Sequence, residues 1–268
     1  AEIAMFRAKR GGPDRIEIFR TEMRSDDDPE AGIEGLVRKA VDKGQLKTFF
    51  QPIVYLPTEE LAGFETFVRF EHPKLGLVNP ALYLTAADDG AHLHRVVSFA
   101  LARSIEAATQ WQKELPRPED HLFVSVDLSN RELLRPALVQ EVRHALGAAL
   151  IAKGTLRIEV PESLAMENPE HACEMLAQLR GAGAEVTLDD FGAGYSSTSY
   201  VQRFECDMVK IDRSLLRRGS SDRDGSGGVV RALVSMAHEL GKKALAEGIE
   251  SAEDVSFLRS LGCEYGQG

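Results

Sequence analysis

The stretch LRIEVPESLAMENPEHACEMLAQLRGAGAEVTLDDFG, residues 156–192, decides the architecture. It opens on Leu156-Arg157-Ile158-Glu159-Val160, apolar at every second position, and closes on a similar run from Glu185. Period-two alternation is the pattern of a strand. Between the two runs, PEHACEMLAQLRGAG has helical spacing and stops in glycines. A strand, a helix and a second strand in steps of about 30 residues make a parallel βα unit. The unit recurs in both directions. Downstream come DMVKIDRS (207–214), KALAEGIE (243–250) and CEYGQG (263–268), separated by SGGVVRALVSMAHELG and AEDVSFLRSLG. Upstream, LFVSVDLS (122–129) precedes the helical RELLRPALVQEVRHAL, and a long helical stretch spans about Leu93 to Leu115. Before that, LKTFFQPIVYL reads as a strand and LAGFETFVRFEH as its hairpin partner. Counting from Phe49 gives eight strands, which predicts an α/β fold, a TIM-like (β/α)8 barrel. The first two strands are joined too tightly for an intervening helix, so the barrel is expected to be irregular there. Gln267-Gly268 falls at the end of the eighth strand, so the final helix is expected to be truncated.

Composition narrows the partners. The net charge of −10 argues against a face for duplex nucleic acid. An anionic ligand would need a positive counterweight, and a bound metal ion is the economical one. Cys173, Cys206 and Cys263 are far apart and odd in number, which reads as reduced thiols in a cytosolic compartment. No run approaches the ~18 apolar residues of a membrane span. Residues 1–24 look like the end of an upstream domain. A helix end at Ile3–Lys9 meets Gly11-Gly12-Pro13 and a short strand, Ile16–Phe19. SDDDPE, residues 25–30, is a charged linker, and the barrel domain runs from residue 31 to 268.

The strand ends carry the chemistry. They are Glu65, Asp127, Glu159, Asp189 with Asp190, Lys210 with Asp212, Glu247 and Gln267. In a βα barrel the C-terminal strand ends share one rim, where catalytic residues gather. A single acid after a strand is commonly a helix N-cap or a surface charge. Recurrence over consecutive strands is what points to a site. Clustered carboxylates repel and lose hydration, so either their pKa values rise or cations join them. Hard oxygen donors suit Mg2+ or Mn2+. The adjacent Asp189-Asp190 pair fits a two-metal centre, the design used for in-line displacement at phosphorus. Lys210, inside the alternation Met208-Val209-Lys210-Ile211-Asp212, points inward to orient water, to offset phosphate charge or to pair with a rim acid. The other signals are weaker. His92-x-His94 lacks a third ligand, Gly192-x-Gly194 lacks a third glycine, Trp111 reads as core, and Ser196-Ser197 has no histidine placed for a triad.

These motifs resemble the EAL family of bacterial cyclic di-GMP phosphodiesterases over about residues 31–268. The resemblance rests on FFQPIV (49–54), FETFVRFEHPKLGLVNP (64–80), VSVDLS, RIEVPES, LDDFGAGYSS, VKID, AEGIE and GCEYGQG. Residues 1–20 resemble the last helix and strand of a GGDEF domain, so the parent protein is expected to be a GGDEF–EAL tandem. The resemblance implies two Mg2+ or Mn2+ ions held by Glu65, Asp127, Glu159, Asp189, Asp190 and Glu247. It implies catalytic roles for Lys210, Glu247 and Glu65. It places Gln51, Arg69, Asp212 and Gln267 on the substrate side, with Arg69 facing a phosphate. Glu162 and Glu250 match acids that brace the loop Phe191–Ser197, through which a homodimer is implied. The setting implied is the bacterial cytoplasm, with any membrane anchor upstream.

Three positions depart from the family pattern. Glu65-Thr66-Phe67 replaces E-A-L, Asp127 replaces the asparagine of N-L-S, and Pro161 replaces the threonine of E-x-T-E. Asp127 adds negative charge that weakens a metal as a Lewis acid and repels phosphate. Pro161 removes a hydroxyl and an N–H beside Glu162. The expected activity is hydrolysis of cyclic di-GMP to linear pGpG. The alternative is a weakened EAL domain that binds cyclic di-GMP as a receptor module, and a structural dimerisation barrel is a third reading.

Overall fold

Pairing between the first two strands joins the ends of a twisted sheet into a ring. The computed structural model describes residues 29–72, 76–79, 91–114, 122–149, 151–163, 168–192, 203–219 and 226–268. Its elements run α1 (Pro29–Asp42), β1 (Leu46–Tyr55), β2 (Glu60–His72), β3 (Gly76–Val78), α2 (Ala91–Glu114) and β4 (Phe123–Asp127). There follow α3 (Asn130–Leu133), α4 (Leu138–Ala149), β5 (Leu156–Pro161), α5 (Pro169–Gly181), β6 (Glu185–Phe191) and β7 (Met208–Ile211). The last are α6 (Arg213–Gly219), α7 (Ser226–Glu239), β8 (Lys243–Glu247), α8 (Ala252–Ser260) and β9 (Tyr265–Gln267). The ring order is β1-β9-β8-β7-β6-β5-β4-β2, closed by β1 against β2. All eight strands expected from the sequence are in it. Those from β2 through β9 are parallel around the ring, whereas β1 is antiparallel to β9, with Val54 opposite Gly266. The irregularity expected at the first two strands is therefore a reversed strand. A parallel neighbour needs a crossover of a dozen residues or so, and residues 56–59 allow only a hairpin.

Two details differ from the sequence reading. RELLRPALVQEVRHAL is two helices, α3 and α4, broken around Pro136, which cannot donate within a helix and pushes its predecessor out of helical geometry. The three-residue β3 pairs antiparallel with the far end of β2 and was too short to show a period. The expected GGDEF remnant (1–24) lies outside the described residues, as do linker residues 25–28; Pro29 and Glu30 begin α1.

The chain forms two compact units, one of Ala1–Lys47 with Arg69–Leu93 and one of Thr48–Val68 with His94–Gly268. The second contains the barrel interior. Ile53, Phe123, Met208, Leu245 and Tyr265 fill it as a buried apolar cluster. Phe50 and Phe64 pack outside the ring on Trp111 of α2, with ring centroids 4.9 and 4.3 Å away. The βα junctions are closed by local chemistry. Asn168 caps α5 ahead of Pro169, and Ser251 with Asp254 forms a capping box on α8. The three cysteines are free thiols. Among the described residues no helix is long and apolar enough to cross a membrane.

Candidate active site

Strand alternation puts every second side chain inside the ring. On adjacent strands Asp127 pairs with Glu159, and Glu247 with Gln267, so their side chains arrive at one level. Lys210 stands in the middle, 1% exposed. Its Nζ lies 2.6 Å from Glu159 Oε2, 2.7 Å from Glu247 Oε1, 3.0 Å from Glu65 Oε2 and 3.7 Å from Asp189 Oδ1. Four strands, β2, β5, β6 and β8, thus send a carboxylate to one ammonium on β7. Gln267 completes the ring, its Nε2 donating to Glu65 Oε2 at 2.5 Å and to Glu247 Oε1 at 2.9 Å.

Adjacent acids on one strand normally face opposite ways. Here β6 is bulged: its register against β7 shifts between Leu188 and Phe191. A bulge leaves a residue unpaired and re-aims side chains. Asp190 adopts the left-handed region at φ 55, and its N–H donates to Asp189 Oδ1 at 2.8 Å. Gly192 follows at φ 86, where a Cβ would stand 2.6 Å from Leu233 Cδ1. Both the backbone angle and the space therefore require glycine. Half-buried Asp189 meets Lys210 while Asp190 opens to solvent beside it.

The electrostatics follow from burial and crowding. Burial, then repulsion from Glu159, pushes Glu65 up to about 7. Asp189 is pushed up to about 8, mainly by burial, against the pull of Lys210. Asp127 reaches solvent at the mouth yet is walled by the rim on its other sides; burial and then Glu159 push it up to about 6. Burial disfavours the charge on Lys210, but Glu159, Glu65, Asp189 and Glu247 together outweigh it and hold the ammonium well above its ordinary range. One lysine does not neutralise this many acids.

The donor set is all oxygen and suits hard divalent cations. Among the described residues no three acidic or histidine side chains are arranged to enclose an ion as they stand. Glu65, Glu159, Glu247 and Asp189 are turned toward Lys210 instead. A cation seated among them would draw these carboxylates outward from the lysine and relieve the charge excess, so the residues fit a metal in chemistry.

The remaining expected residues divide. Glu162 does reach the loop after β6: its Oε2 accepts from Gly192 N at 3.2 Å, so Pro161 leaves that brace standing. Its Oε1 is buried without a hydrogen-bond partner among the described residues. Pro161 costs little because odd-numbered residues at this end of β5 face β4, as the bond from Leu128 N to Glu159 O shows, and β4 ends at Asp127. Glu250 is exposed, its N–H held by Asp254 at 3.1 Å, and the loop it is expected to brace lies outside the described residues from 193 onward. The dimer contact expected there lies outside them too. One oxygen of Asp212 accepts from Ser214 N at 2.9 Å and so caps α6. Gln51 is half-buried on β1, in the barrel unit. Arg69 lies four residues beyond Glu65 on β2, half-buried, in the unit of Ala1–Lys47 and Arg69–Leu93. His94 turns to Glu141, 3.6 Å away, and to Ser98. Ser125 was overlooked. It sits two residues before Asp127 on the same face, fully buried, and its Oγ has no partner among the described residues. The alternation Val124-Ser125-Val126-Asp127 already contained that signal.

Comparison with known proteins gives one answer. The family model described as EAL domain matches residues 35–268. Cyclic di-GMP phosphodiesterase NbdA of Pseudomonas aeruginosa is 32% identical over 269 residues, covering 100% of this chain and 34% of the relative. Cyclic di-GMP phosphodiesterase PdeR of Escherichia coli is 30% identical over 268 residues, covering 100% of this chain and 40% of the relative. The chain thus spans little more than a third of the length of these curated relatives. Among solved structures, that of PaMucR phosphodiesterase in complex with c-di-GMP superposes with a TM-score of 0.80 at 31% identity, covering 88% of this chain and 94% of that one. EAL enzyme Bd1971, in its form bound to cAMP and cyclic-di-GMP, gives 0.81 at 25% identity, covering 91% and 66%.

Proposed function

Because the chain belongs to the EAL domain family, we propose that it hydrolyses one phosphodiester of cyclic di-GMP to linear pGpG, assisted by two Mg2+ or Mn2+ ions. Divalent-metal dependence is general in this family. Bound cations would polarise the phosphate and lower the pKa of a neighbouring water. Glu65, Asp127, Glu159, Asp189, Asp190 and Glu247 supply oxygen donors for them. Lys210, charged throughout the physiological range, orients the attacking water by hydrogen bonding to its oxygen. Glu247, 2.7 Å from Lys210, takes the proton in this reading. Gln267 holds Glu65 and Glu247 in relative position. Gln51, Arg69 and Asp212 serve the substrate side. The observation that carries this reading is the convergence of carboxylates from four strands on buried Lys210.

The wider setting belongs to the same proposal. Residues 31–268 are the EAL barrel, 1–24 the end of a GGDEF domain in a longer cytoplasmic parent, and the Phe191–Ser197 region a homodimer contact. Incubation with cyclic di-GMP and Mn2+, followed by chromatography for pGpG, tests the activity. Turnover supports it, and Ca2+, with its looser geometry, should suppress that turnover. Binding without turnover would make the domain a receptor, and absence of both would leave a structural barrel.

A further inference from the structure

Among the described residues four large apolar side chains are exposed: Phe49, Leu77, Leu134 and Val229. Exposure alone says little, since isolated apolar side chains are ordinary on protein surfaces. For Phe49 the position speaks. Ile53 and Tyr55 of β1 join the cluster inside the barrel, and Phe50 packs outside it on Trp111. Strand alternation therefore gives Phe49 and Gln51 the interior face. Because β1 runs against β9, with Tyr55 opposite Tyr265, its earlier residues lie toward the rim that Gln267 marks. Ile53 falls level with Gln267 when that register is continued. Phe49, four residues earlier, rises about 13 Å farther along the strand, at ~3.3 Å per residue. It stands above the acid ring, 42% exposed.

We propose that Phe49 is a stacking platform for one guanine of the dinucleotide. This rests on the functional reading above. A nucleotide held by its phosphate at the acids extends its ribose and base outward, toward the height of Phe49. A phenyl ring offers a base a face without hydrogen bonds, and such stacking is sequence-tolerant. Phe49 thus strengthens binding of the purine dinucleotide while touching neither the cations nor the scissile bond.

Calorimetric titration of cyclic di-GMP into the whole chain, in Ca2+ to suppress turnover, tests this. Phe49→Ala and Phe49→Leu should each raise Kd about tenfold, and Phe49→Tyr should stay near the parent value. Mn2+ affinity, titrated without nucleotide, should be the same in all four proteins. Equal cyclic di-GMP affinity in the alanine variant overturns the inference, as does retention by leucine, which would make the contact merely apolar. A parallel loss of Mn2+ affinity overturns it by showing a structural role. If the parent chain neither binds nor cleaves cyclic di-GMP, the functional reading itself fails and this inference falls with it.

Discussion

At the base of the barrel Arg157 lies over the Phe123 ring, 3.5 Å from its centroid, with Tyr265 beyond and Glu185 Oε2 2.9 Å from its Nε in an ion pair rather than an aligned hydrogen bond. At the mouth, two residues on along the same face of β5, Glu159 meets Lys210 in a ring of acids. Along this inward face of the barrel, Arg157 is the buried cation at the base and Lys210 the buried cation at the mouth. At the base it has one counter-ion and aromatic walls, so the charge is balanced and the interior sealed. At the mouth it faces Glu65, Glu159, Asp189 and Glu247, with Asp127 and Asp190 close by. Like charges gathered in a partly buried site destabilise a fold unless something else is recruited. The same alternation that builds a structural plug at one end builds a reactive excess of charge at the other.

That contrast can be broken by exchanging the two cations in turn. The largest effect is expected from Lys210→Met, which should lower cyclic di-GMP turnover by about a hundredfold or more. Mn2+ titration of the same variant should still show binding, because the carboxylates remain. Turnover within tenfold of the parent would remove Lys210 from the chemistry. Arg157→Met should act on the fold instead, costing about 2–3 kcal/mol and lowering Tm by roughly 5–10 °C. Its Mn2+ affinity should stay within twofold of the parent, and a larger change would mean that base and mouth are coupled.

Glu65, Asp127 and Asp189 all titrate higher in the folded chain than in the unfolded one, at about 7, 6 and 8. The folded state therefore binds more protons above the ordinary carboxylate range. The stability this gives is complete below that range and is lost as pH rises through the folded values. In chelator, Tm should fall between pH 5 and pH 8.5 by about 2–4 °C for each kcal/mol lost. Mn2+ should reverse the fall, most strongly at high pH. A flat profile in chelator would show that Lys210 alone balances the mouth. The smallest effect is expected from Asp127→Asn, which removes one solvent-screened charge and should raise kcat/KM about two- to threefold. Unchanged or lower turnover would reject the view that this aspartate handicaps the site.

The barrel was legible because parallel strands alternating with helices impose two periods that do not resemble each other. The direction of β1 was less so: the short link at residues 56–59 announced an irregularity, but a reversed strand and a tilted one look alike in residue pattern. Glu65, Glu159, Lys210, Glu247 and Gln267 were readable as inward positions near strand ends. Their mutual distances were not, since register between strands far apart in the chain leaves no local trace. Asp189 and Asp190 raised the right question, yet the bulge that answers it depends on how β6 meets β7. Asp212 shows the opposite hazard, because a strand-end acid that points to a site also suits the cap of the following helix. The base plug went unread because Arg157, in a strand, looked like any polar residue in alternation.

Gln267 has a consequence for how the mouth changes state. Its amide donates to Glu65 and Glu247, while Oε1 is buried without a partner among the described residues. A primary amide is a donor at one corner and an acceptor at the other. A half-turn about its last torsion would exchange the two and offer an oxygen where a nitrogen had been. The residue could thus answer either state of the neighbouring carboxylates: donating to them when they are bare anions, and accepting from them where both carry protons. Such a turn would make it a reversible adapter, with no movement of the strand backbone that holds it.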